Sequence, residues 1–205
     1  MKTWEVELKF KVNDSIWNLL SKYWKDWKLL SKEEEIDEYY DSKTLPRLGS
    51  QDKALRLRKI STQISSETSN GKSSIEMTYK GPKINKTSKT RVECNFSFIK
   101  EREKDLKVFL EGIGYSSHFV VEKFRETYLI NHENTEFILT RDHVKNLGSF
   151  IELEIITNDK SQIENKENTL RSFWFTLLKN EGITDQQPFE SITKSYLELI
   201  MESDR

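Results

Sequence analysis

Charged side chains recur in pairs along the stretches of this chain that alternate between polar and apolar residues. In WEVELKFKV, residues 4–12, Glu5 and Glu7 precede Lys9 and Lys11 on one side of a predicted strand, because successive strand side chains point to opposite faces. Six later segments repeat the pattern, and their polar positions are Arg56, Arg58, Glu76, Thr78, Lys80, Arg91, Glu93, Asn95, Glu122 or Lys123 with Arg125, Asp142, Glu152 and Glu154. A solvated strand face usually mixes Thr, Ser, Gln and Lys, so paired Arg and paired Glu call for another explanation.

Two kinds of chemistry suit this set of side chains. Clustered Glu carboxylates are ligands for a hard divalent cation such as Mg²⁺ or Mn²⁺. Arg and Lys suit the oxygens of phosphates, and Arg can contact them through two nitrogens at once. Together the acidic and basic sets match a polyphosphate that is bound with a metal ion, provided that the strands bring the two sets together.

The strands could present these charges in two ways. If the polar faces point to water, the charges need no ligand and their net contribution to stability is small. If the sheet curls into a barrel with its polar faces inward, the interior holds desolvated charges, which are tolerated only when paired or bound to ligands. Several amphipathic helices need an apolar surface to cover, and the outer faces of the strands would supply it, so the pattern favours the barrel.

About eight segments are predicted to be strands, and the short links between several of them favour an antiparallel sheet or barrel with helices outside, an α+β fold. Helices are predicted over residues 14–30, 100–114, 169–182 and 190–202. The first has Asp14 as its N-cap and an apolar stripe that includes Trp24. A polar hairpin loop is predicted over 61–74. Because no composition break or long linker divides the chain, residues 1–205 are predicted to form a single domain.

Composition excludes several classes of protein. Among 205 residues, 33 are Lys or Arg and 34 are Asp or Glu, so the formal net charge of −1 lacks the basic footprint of a nucleic-acid binder. The start of the chain has no signal-peptide core, and no apolar run approaches the roughly 20 residues of a membrane span. A cytoplasmic protein with no membrane or nucleic-acid partner is therefore predicted. Cys94 is the only cysteine, which excludes an internal disulfide, and it is predicted to be buried.

The segment EVELKFKV contains Glu5-x-Glu7-x-Lys9, which resembles the ExExK signature of the CYTH superfamily, also called triphosphate tunnel metalloenzymes. ExExK is a short motif, and the further segments that accompany it in this chain are more specific. The segments DEYYD, ALRLR, TYKGPK, TRVE, EKFRETY, LTRDHVKNLGSFIELEI and SYLEL resemble family segments and occur in family order. The similarity runs from about Met1 to Ile200 and is greatest to the class IV adenylyl cyclase-like branch.

The resemblance implies an eight-stranded antiparallel barrel that forms a tunnel, with a triphosphate inside and one or two divalent ions, Mg²⁺ or Mn²⁺, on its acidic side. Position by position, it implies that the phosphates are bound by Lys9, Arg56, Arg58, Lys80, Arg91, Lys123 and Arg125. It implies a metal set drawn from Glu5, Glu7, Asp142, Glu152 and Glu154. The catalytic residues that we predict are Glu5, Glu7, Lys9 and Glu93, the last as a guess for the carboxylate that orients an attacking water.

Two departures from the family pattern bear on the reaction. Class IV cyclases commonly carry a His-Phe pair upstream of ExExK, where this chain has only Met1 to Trp4, and Val92 and Cys94 flank Glu93 where two consecutive acids are frequent. We therefore predict a metal-dependent triphosphatase that prefers inorganic triphosphate to nucleotides. The main alternative is a class IV-type adenylyl cyclase, which makes cyclic AMP from ATP and needs an adenine pocket. A second alternative is a non-catalytic polyphosphate-binding module. The sequence leaves a homodimer open.

Overall fold

The computed structural model describes residues 4–23, 26–44, 46–62, 73–83 and 91–203. Its strands are β1 (Trp4–Val12), β2 (Lys28–Ser42), β3 (Ala54–Thr62), β4 (Ser73–Lys80), β5 (Glu93–Ile99), β6 (Tyr115–His132), β7 (Thr135–Val144) and β8 (Gly148–Thr157). Its helices are α1 (Asp14–Leu20), α2 (Glu103–Gly112), α3 (Ile163–Asn180) and α4 (Tyr196–Ser203). Most of the predicted loop at 61–74, and Trp24 of the first predicted helix, lie outside the described residues.

All eight strands belong to one antiparallel sheet, in the order β1-β8-β7-β6-β2-β3-β4-β5. The two ends of this order approach each other, because an isolated antiparallel bridge joins Glu5 of β1 to Arg91, just ahead of β5. The sheet therefore curls into a barrel with helices around it, which confirms the predicted fold class. That residues 1–205 form a single domain stays a prediction.

The apolar faces of the strands point outward and are covered by helices. Leu8 and Phe10 of β1 are 1% and 0% exposed, and the ring of Phe10 stacks on Trp174 of α3 with centroids 5.1 Å apart. On another side of the barrel, Leu110 of α2 packs in a cluster with Leu57 of β3. Since the helices take up the apolar faces, the alternating polar side chains of the same strands point into the barrel.

The first helix is shorter than the sequence pattern predicts. It ends at Leu20, and β2 begins at Lys28, where the chain pairs with β6 instead of continuing the helix to residue 30. Asn13, not Asp14, is the N-cap, because its side chain accepts a hydrogen bond from the Ile16 N–H at 3.0 Å. Strand pairing has overridden helical periodicity in the second half of the predicted helix.

The sequence leaves residues 158–168 open as a polar link or a helix start, and α3 does start within them, at Ile163. The last helix begins later than predicted, since α4 starts at Tyr196 and not at residue 190. A reciprocal capping box sets the start of α4, since the Ser195 N–H donates to the Glu198 carboxylate (2.6 Å) and the Glu198 N–H donates to Ser195 Oγ (3.2 Å). In the described ranges, no helix has the length and apolar character to cross a membrane.

The prediction that Cys94 is buried is wrong. Cys94 is exposed on β5, which stands at the end of the strand order. Phe96 on the same strand is 51% exposed. The outer side of this edge strand is therefore less covered by helices than the outer sides of β1 and β3.

Candidate functional site

The polar faces of the strands enclose one charged cavity inside the barrel, of about 210 Å³. Its lining includes the predicted residues Glu5, Glu7, Lys9, Arg56, Arg58, Lys80, Arg91, Glu93, Lys123, Arg125, Glu152 and Glu154. Asp142, which was predicted with them, does not line the cavity and is 0% exposed. Glu7 and Lys9 are 9% and 1% exposed, so this part of the polar side of β1 does not face solvent, whereas Lys11 at the end of the strand is exposed.

Carboxylates gather on the side of the cavity formed by β1 and β8. Glu7 lies directly opposite Glu154 in the antiparallel register, and Glu5 follows on the same face of β1. Desolvation and then the neighbouring Glu154 raise the pKa of the Glu5 carboxyl well above its usual value. Desolvation, followed by Glu7, raises the pKa of Glu154 to about 7. Glu5, Glu7 and Glu154 form the acidic cluster of the cavity, and these shifts mean that its carboxylates are desolvated and repel one another.

Opposite charges are closely paired on the side formed by β2, β3 and β6. The Arg58 guanidinium donates to both oxygens of Asp37 (2.6 and 2.7 Å), and its Nη1 lies 2.8 Å from Glu35. The Lys123 ammonium lies 2.9 Å from Glu35. Burial is the largest single influence and would raise the carboxyl pKa values here, but Arg58, Lys123 and Arg125 together outweigh it at Glu35 and lower its pKa to about 2. Arg58 acts on Asp37 as well and lowers its pKa.

Close pairing of opposite charges continues from β6 to Asp142 of β7, Glu152 of β8 and Lys9 of β1. Arg125 donates to both oxygens of Asp142 (2.7 and 2.5 Å) and also to Glu152. The Tyr196 hydroxyl, at the start of α4, donates to Asp142 at 2.8 Å, and the Lys9 ammonium lies 3.5 Å from the centre of the Tyr196 ring. Lys9 also pairs with Glu152 at 3.0 Å. Asp142 and Glu152 are thus both held by cations.

Lys80 and Glu93 lie between these two sides, and Arg56 of β3 lies beside them on the paired side. Lys80 of β4 donates to Glu93 of β5, its cross-strand partner. Burial would raise the pKa of Glu93, but Lys80 more than offsets this, and the pKa of Glu93 is lowered overall. Glu93 therefore stays ionised. Arg56 donates to Glu76 and to Thr78, each at 2.9 Å.

Sequence reasoning missed three residues of the site: Glu35, Asp37 and Tyr196. Asp37 and Tyr196 stand inside DEYYD and SYLEL, segments whose resemblance to the family is visible without a structure. Glu35 precedes Asp37 by two positions on β2 and so shares its face. The signal that could have found Glu35 is the strand period of two. Counted back from Asp37, it places Glu35, the last of a run of three glutamates, on the inward face of β2.

The acidic cluster fits a divalent cation by its chemistry. In the described part of the chain, no group of three or more Asp, Glu, His or Cys side chains is already assembled as a metal site. The raised pKa values of Glu5 and Glu154 nevertheless show carboxylates that would be stabilised by added positive charge. Carboxylate oxygens are the ligands that Mg²⁺ and Mn²⁺ prefer.

A second cavity, of about 410 Å³, adjoins the first, because Tyr39 and Ala54 line both. Its walls are largely apolar or aromatic and include Tyr40, Phe119 and Leu197. A chain of phosphates in the first cavity could therefore carry an organic group into the second. The geometry alone does not require one.

Comparisons with known proteins agree with this architecture. A protein of Methanocaldococcus jannaschii named as a candidate adenylate cyclase is 33% identical over 198 residues, which are 95% of this chain and 97% of that protein. A solved Pyrococcus horikoshii protein is 31% identical with a TM-score of 0.78, covering 97% of this chain and 99% of the other.

A more distant solved structure shares the fold. It belongs to a Hippeastrum protein that is described as a candidate adenylyl cyclase with a dominant triphosphatase activity, and it is 17% identical with a TM-score of 0.67, covering 98% of this chain and 96% of the other. The sequence model of the CYTH domain matches residues 4–196. This chain therefore belongs to the CYTH domain family.

Proposed function

We propose that this protein is a metal-dependent triphosphatase that hydrolyses inorganic triphosphate inside the barrel. The observation that carries the proposal is the cavity itself, in which a cluster of mutually repelling carboxylates faces a set of Arg and Lys side chains. A polyphosphate with a divalent cation satisfies both sides at once, since the cation neutralises the carboxylates and the phosphate oxygens accept hydrogen bonds from the cations.

Membership of the family supports the coarser part of this proposal. CYTH domain proteins are typically enzymes that act on triphosphates, and they generally use divalent metal ions. The dominant triphosphatase activity described for the Hippeastrum protein belongs to that protein, whose barrel this chain shares. The choice of inorganic triphosphate rests on the departure from the cyclase pattern around Glu93 in this sequence.

In this proposal Glu5, Glu7 and Glu154 would hold the metal ion, Mg²⁺ or Mn²⁺. The ion would supply positive charge to the phosphate oxygens. Asp142 and Glu152 remain predicted metal ligands from the sequence, but we leave them out of the proposed set. Both carboxylates already accept hydrogen bonds from Arg125. If either carboxylate turned to a metal ion, the buried Arg125 guanidinium would lose that partner.

The basic side chains would bind and orient the phosphates. Those that line the cavity are Lys9, Arg56, Arg58, Lys80, Arg91, Lys123 and Arg125. Phosphoryl transfer depends chiefly on in-line positioning and on electrostatic stabilisation of the phosphate oxygens, and these cations supply both. Glu93 is ionised, lines the cavity and can accept a hydrogen bond from the attacking water. We propose that it orients this water.

A substrate panel tests the proposed function. Inorganic triphosphate and ATP are each incubated with Mg²⁺ and with Mn²⁺ from neutral to alkaline pH, and phosphate, diphosphate and cyclic AMP are quantified. We expect phosphate release from inorganic triphosphate with a higher kcat/KM than for ATP, and little or no cyclic AMP. Glu154→Gln, purified in parallel, controls for contaminating phosphatases because it should lose the activity while retaining the fold.

Adenylyl cyclase is the second candidate, and the adjoining cavity favours it. Cyclisation of ATP needs the ribose 3′-hydroxyl to reach the α-phosphate and a pocket for the adenine, and the aromatic walls near Tyr39 and Tyr40 could form such a pocket. Cyclic AMP as the dominant product, with inorganic triphosphate inert, would overturn the triphosphatase proposal. Tight binding of triphosphate with no product from either substrate would leave a polyphosphate-binding module.

A further inference from the structure

Glu35 joins three cations of the phosphate-binding set. Its carboxylate lies 2.8 Å from Arg58, 2.9 Å from Lys123 and 4.0 Å from Arg125, and the residue is 2% exposed. These three cations come from two strands, since Arg58 is on β3 and the other two are on β6. Because β2 lies between β6 and β3 in the sheet, a carboxylate on β2 can reach both neighbours.

Glu35 differs in position from the cations that it contacts. Arg58, Lys123 and Arg125 line the cavity, whereas Glu35 does not. It therefore has no direct access to a bound phosphate and acts through the side chains in front of it. Three long cationic side chains at like charge would otherwise repel one another and sample several rotamers.

We propose that Glu35 is a positioning residue that fixes Arg58, Lys123 and Arg125 in the arrangement that binds the phosphates. The inference rests on the proposed function, because that function places the phosphates on these cations. A cation that is fixed by a buried carboxylate keeps its position through the reaction. A displacement of about 1 Å in a positioning group can lower turnover by about 100-fold. The neighbouring Asp37 also accepts hydrogen bonds from Arg58, but it differs from Glu35 in two respects. Asp37 lines the cavity, and these hydrogen bonds reach β3 alone, whereas Glu35 contacts cations of both β3 and β6.

The rival explanation is that Glu35 only balances charge. A carboxylate that merely neutralises the cations would act at any nearby position, and its reach would not matter. Its loss would leave the cavity more positive and would tighten the binding of an anion. The two explanations therefore differ in what they expect of a carboxylate with the same charge and a shorter side chain.

Two substitutions separate these explanations. Glu35→Asp keeps the charge and shortens the reach, and Glu35→Gln keeps the shape and removes the charge. Positioning predicts that both lower kcat by about 10-fold or more, and that Glu35→Asp also weakens binding of metal-free inorganic triphosphate by about 5-fold in calorimetry. A Glu35→Asp variant within about twofold of wild type in both kcat and Kd would overturn the proposal.

Glu126 provides the matched control. It is a buried carboxylate, 6% exposed, that pairs with Arg141 across the same sheet and with Lys32 at 2.7 Å, outside the cavity. Glu126→Asp and Glu126→Gln should lower thermal stability but leave kcat and Kd of the folded protein within about twofold. Equal losses of turnover in the Glu126 and Glu35 pairs would show a general effect of a broken buried ion pair, and would also overturn the proposal.

Failure of the proposed function would be distinguishable from failure of this inference. A wild-type chain that binds inorganic triphosphate but releases no phosphate overturns the hydrolysis alone. The calorimetric comparison of Glu35→Asp with Glu126→Asp still decides the role of Glu35, because it needs no turnover. If either Gln variant fails to fold, the two Asp variants carry the comparison.

Discussion

The two sides of the cavity shift the pKa of a buried glutamate in opposite directions. On the acidic side, Glu154 faces Glu7 across the β1–β8 pair and its pKa is raised to about 7. On the basic side, Glu35 is more deeply buried and yet has its pKa lowered to about 2, because Arg58, Lys123 and Arg125 together outweigh the desolvation. Burial by itself therefore does not decide the state of a carboxyl group here. The charge of its nearest neighbours does.

This difference indicates that the two sides of the cavity have different roles. On the basic side, carboxylates and cations are already paired with one another, so much of its geometry exists before any ligand arrives. On the acidic side, carboxylates repel one another, and an added cation would relieve the repulsion. We infer that the phosphate-binding side is the rigid part of the site and that the acidic side is the part that responds to metal. Removing a charge should therefore destabilise the folded protein on the basic side but not on the acidic side.

The largest effect is expected from removing a cation on the paired side. Arg58→Ala leaves Asp37 and Glu35 buried without their main partner, which should lower the free energy of unfolding by about 3–5 kcal/mol. Urea unfolding measures the change. Lys145→Ala is the control, because Lys145 pairs with Glu122 at 2.9 Å on the exposed surface and should cost at most about 1 kcal/mol. Similar losses in both variants would contradict the division into two sides.

Next in size is the effect of removing a carboxylate on the acidic side. Glu154→Gln should lower kcat by about 100-fold or more, since the metal loses a ligand, while the metal-free protein keeps or gains thermal stability because like charges are separated. Steady-state assays and metal-free melting curves measure both. Glu122→Gln, at an exposed position outside the cavity, should change neither. Turnover near that of wild type in Glu154→Gln and in Glu7→Gln would remove the metal assignment.

A smaller effect is expected when a ligand that contacts both sides stabilises the folded protein. Inorganic triphosphate with Mg²⁺, at about one hundred times Kd, should stabilise the folded protein by about 2.7 kcal/mol. Arg56→Ala should lose most of this gain because Arg56 lines the cavity, while Lys145→Ala should retain it. An unchanged melting curve of the wild-type protein with saturating triphosphate would mean that these cations do not bind phosphate.

The smallest effect concerns pH. With a folded pKa of about 7 and an unfolded value near 4.3, Glu154 holds a proton in the folded state that the unfolded state has lost. Its contribution to stability is complete below about pH 4 and is lost as pH rises through 7. Metal binding needs the carboxylate, so metal affinity should fall by up to about tenfold per pH unit below 7.

Calorimetric Mn²⁺ titrations between about pH 5.5 and about pH 8 measure this dependence. Glu154→Gln should flatten it. Glu35 should add nothing in this range, because its lowered pKa confines its contribution to a window between an ordinary carboxyl pKa and about 2, where stability is lost as pH falls. A pH dependence that survives in Glu154→Gln would assign the titration to another group.

Much of the site could be predicted from local sequence. Period-two alternation places Glu5, Glu7 and Lys9 on one face of β1 whatever the strand pairs with, because the period belongs to the strand itself. The same rule places Arg56 and Arg58 together on β3. The abundance of amphipathic helices then favours a barrel with these faces inward, since each apolar face needs a covering partner.

Local sequence could not predict which charges neutralise which. Glu154 and Glu35 are both glutamates at inward positions of strands, and only the strand order places one beside Glu7 and the other beside Arg58 and Lys123. The order also makes β5 an edge strand and so leaves Cys94 exposed. Neighbours across a sheet are distant in sequence, so no short window contains them.

The sequence by itself therefore determined the inventory of charges and the face on which each lies, because both follow from residue type and a period of two. Tertiary structure alone decided their ionisation and their partners, including the reach of Tyr196 from α4 to Asp142 and Lys9. The physical reason is that electrostatic energies depend on distances of a few ångströms in a desolvated interior, and those distances are set by how the whole sheet closes.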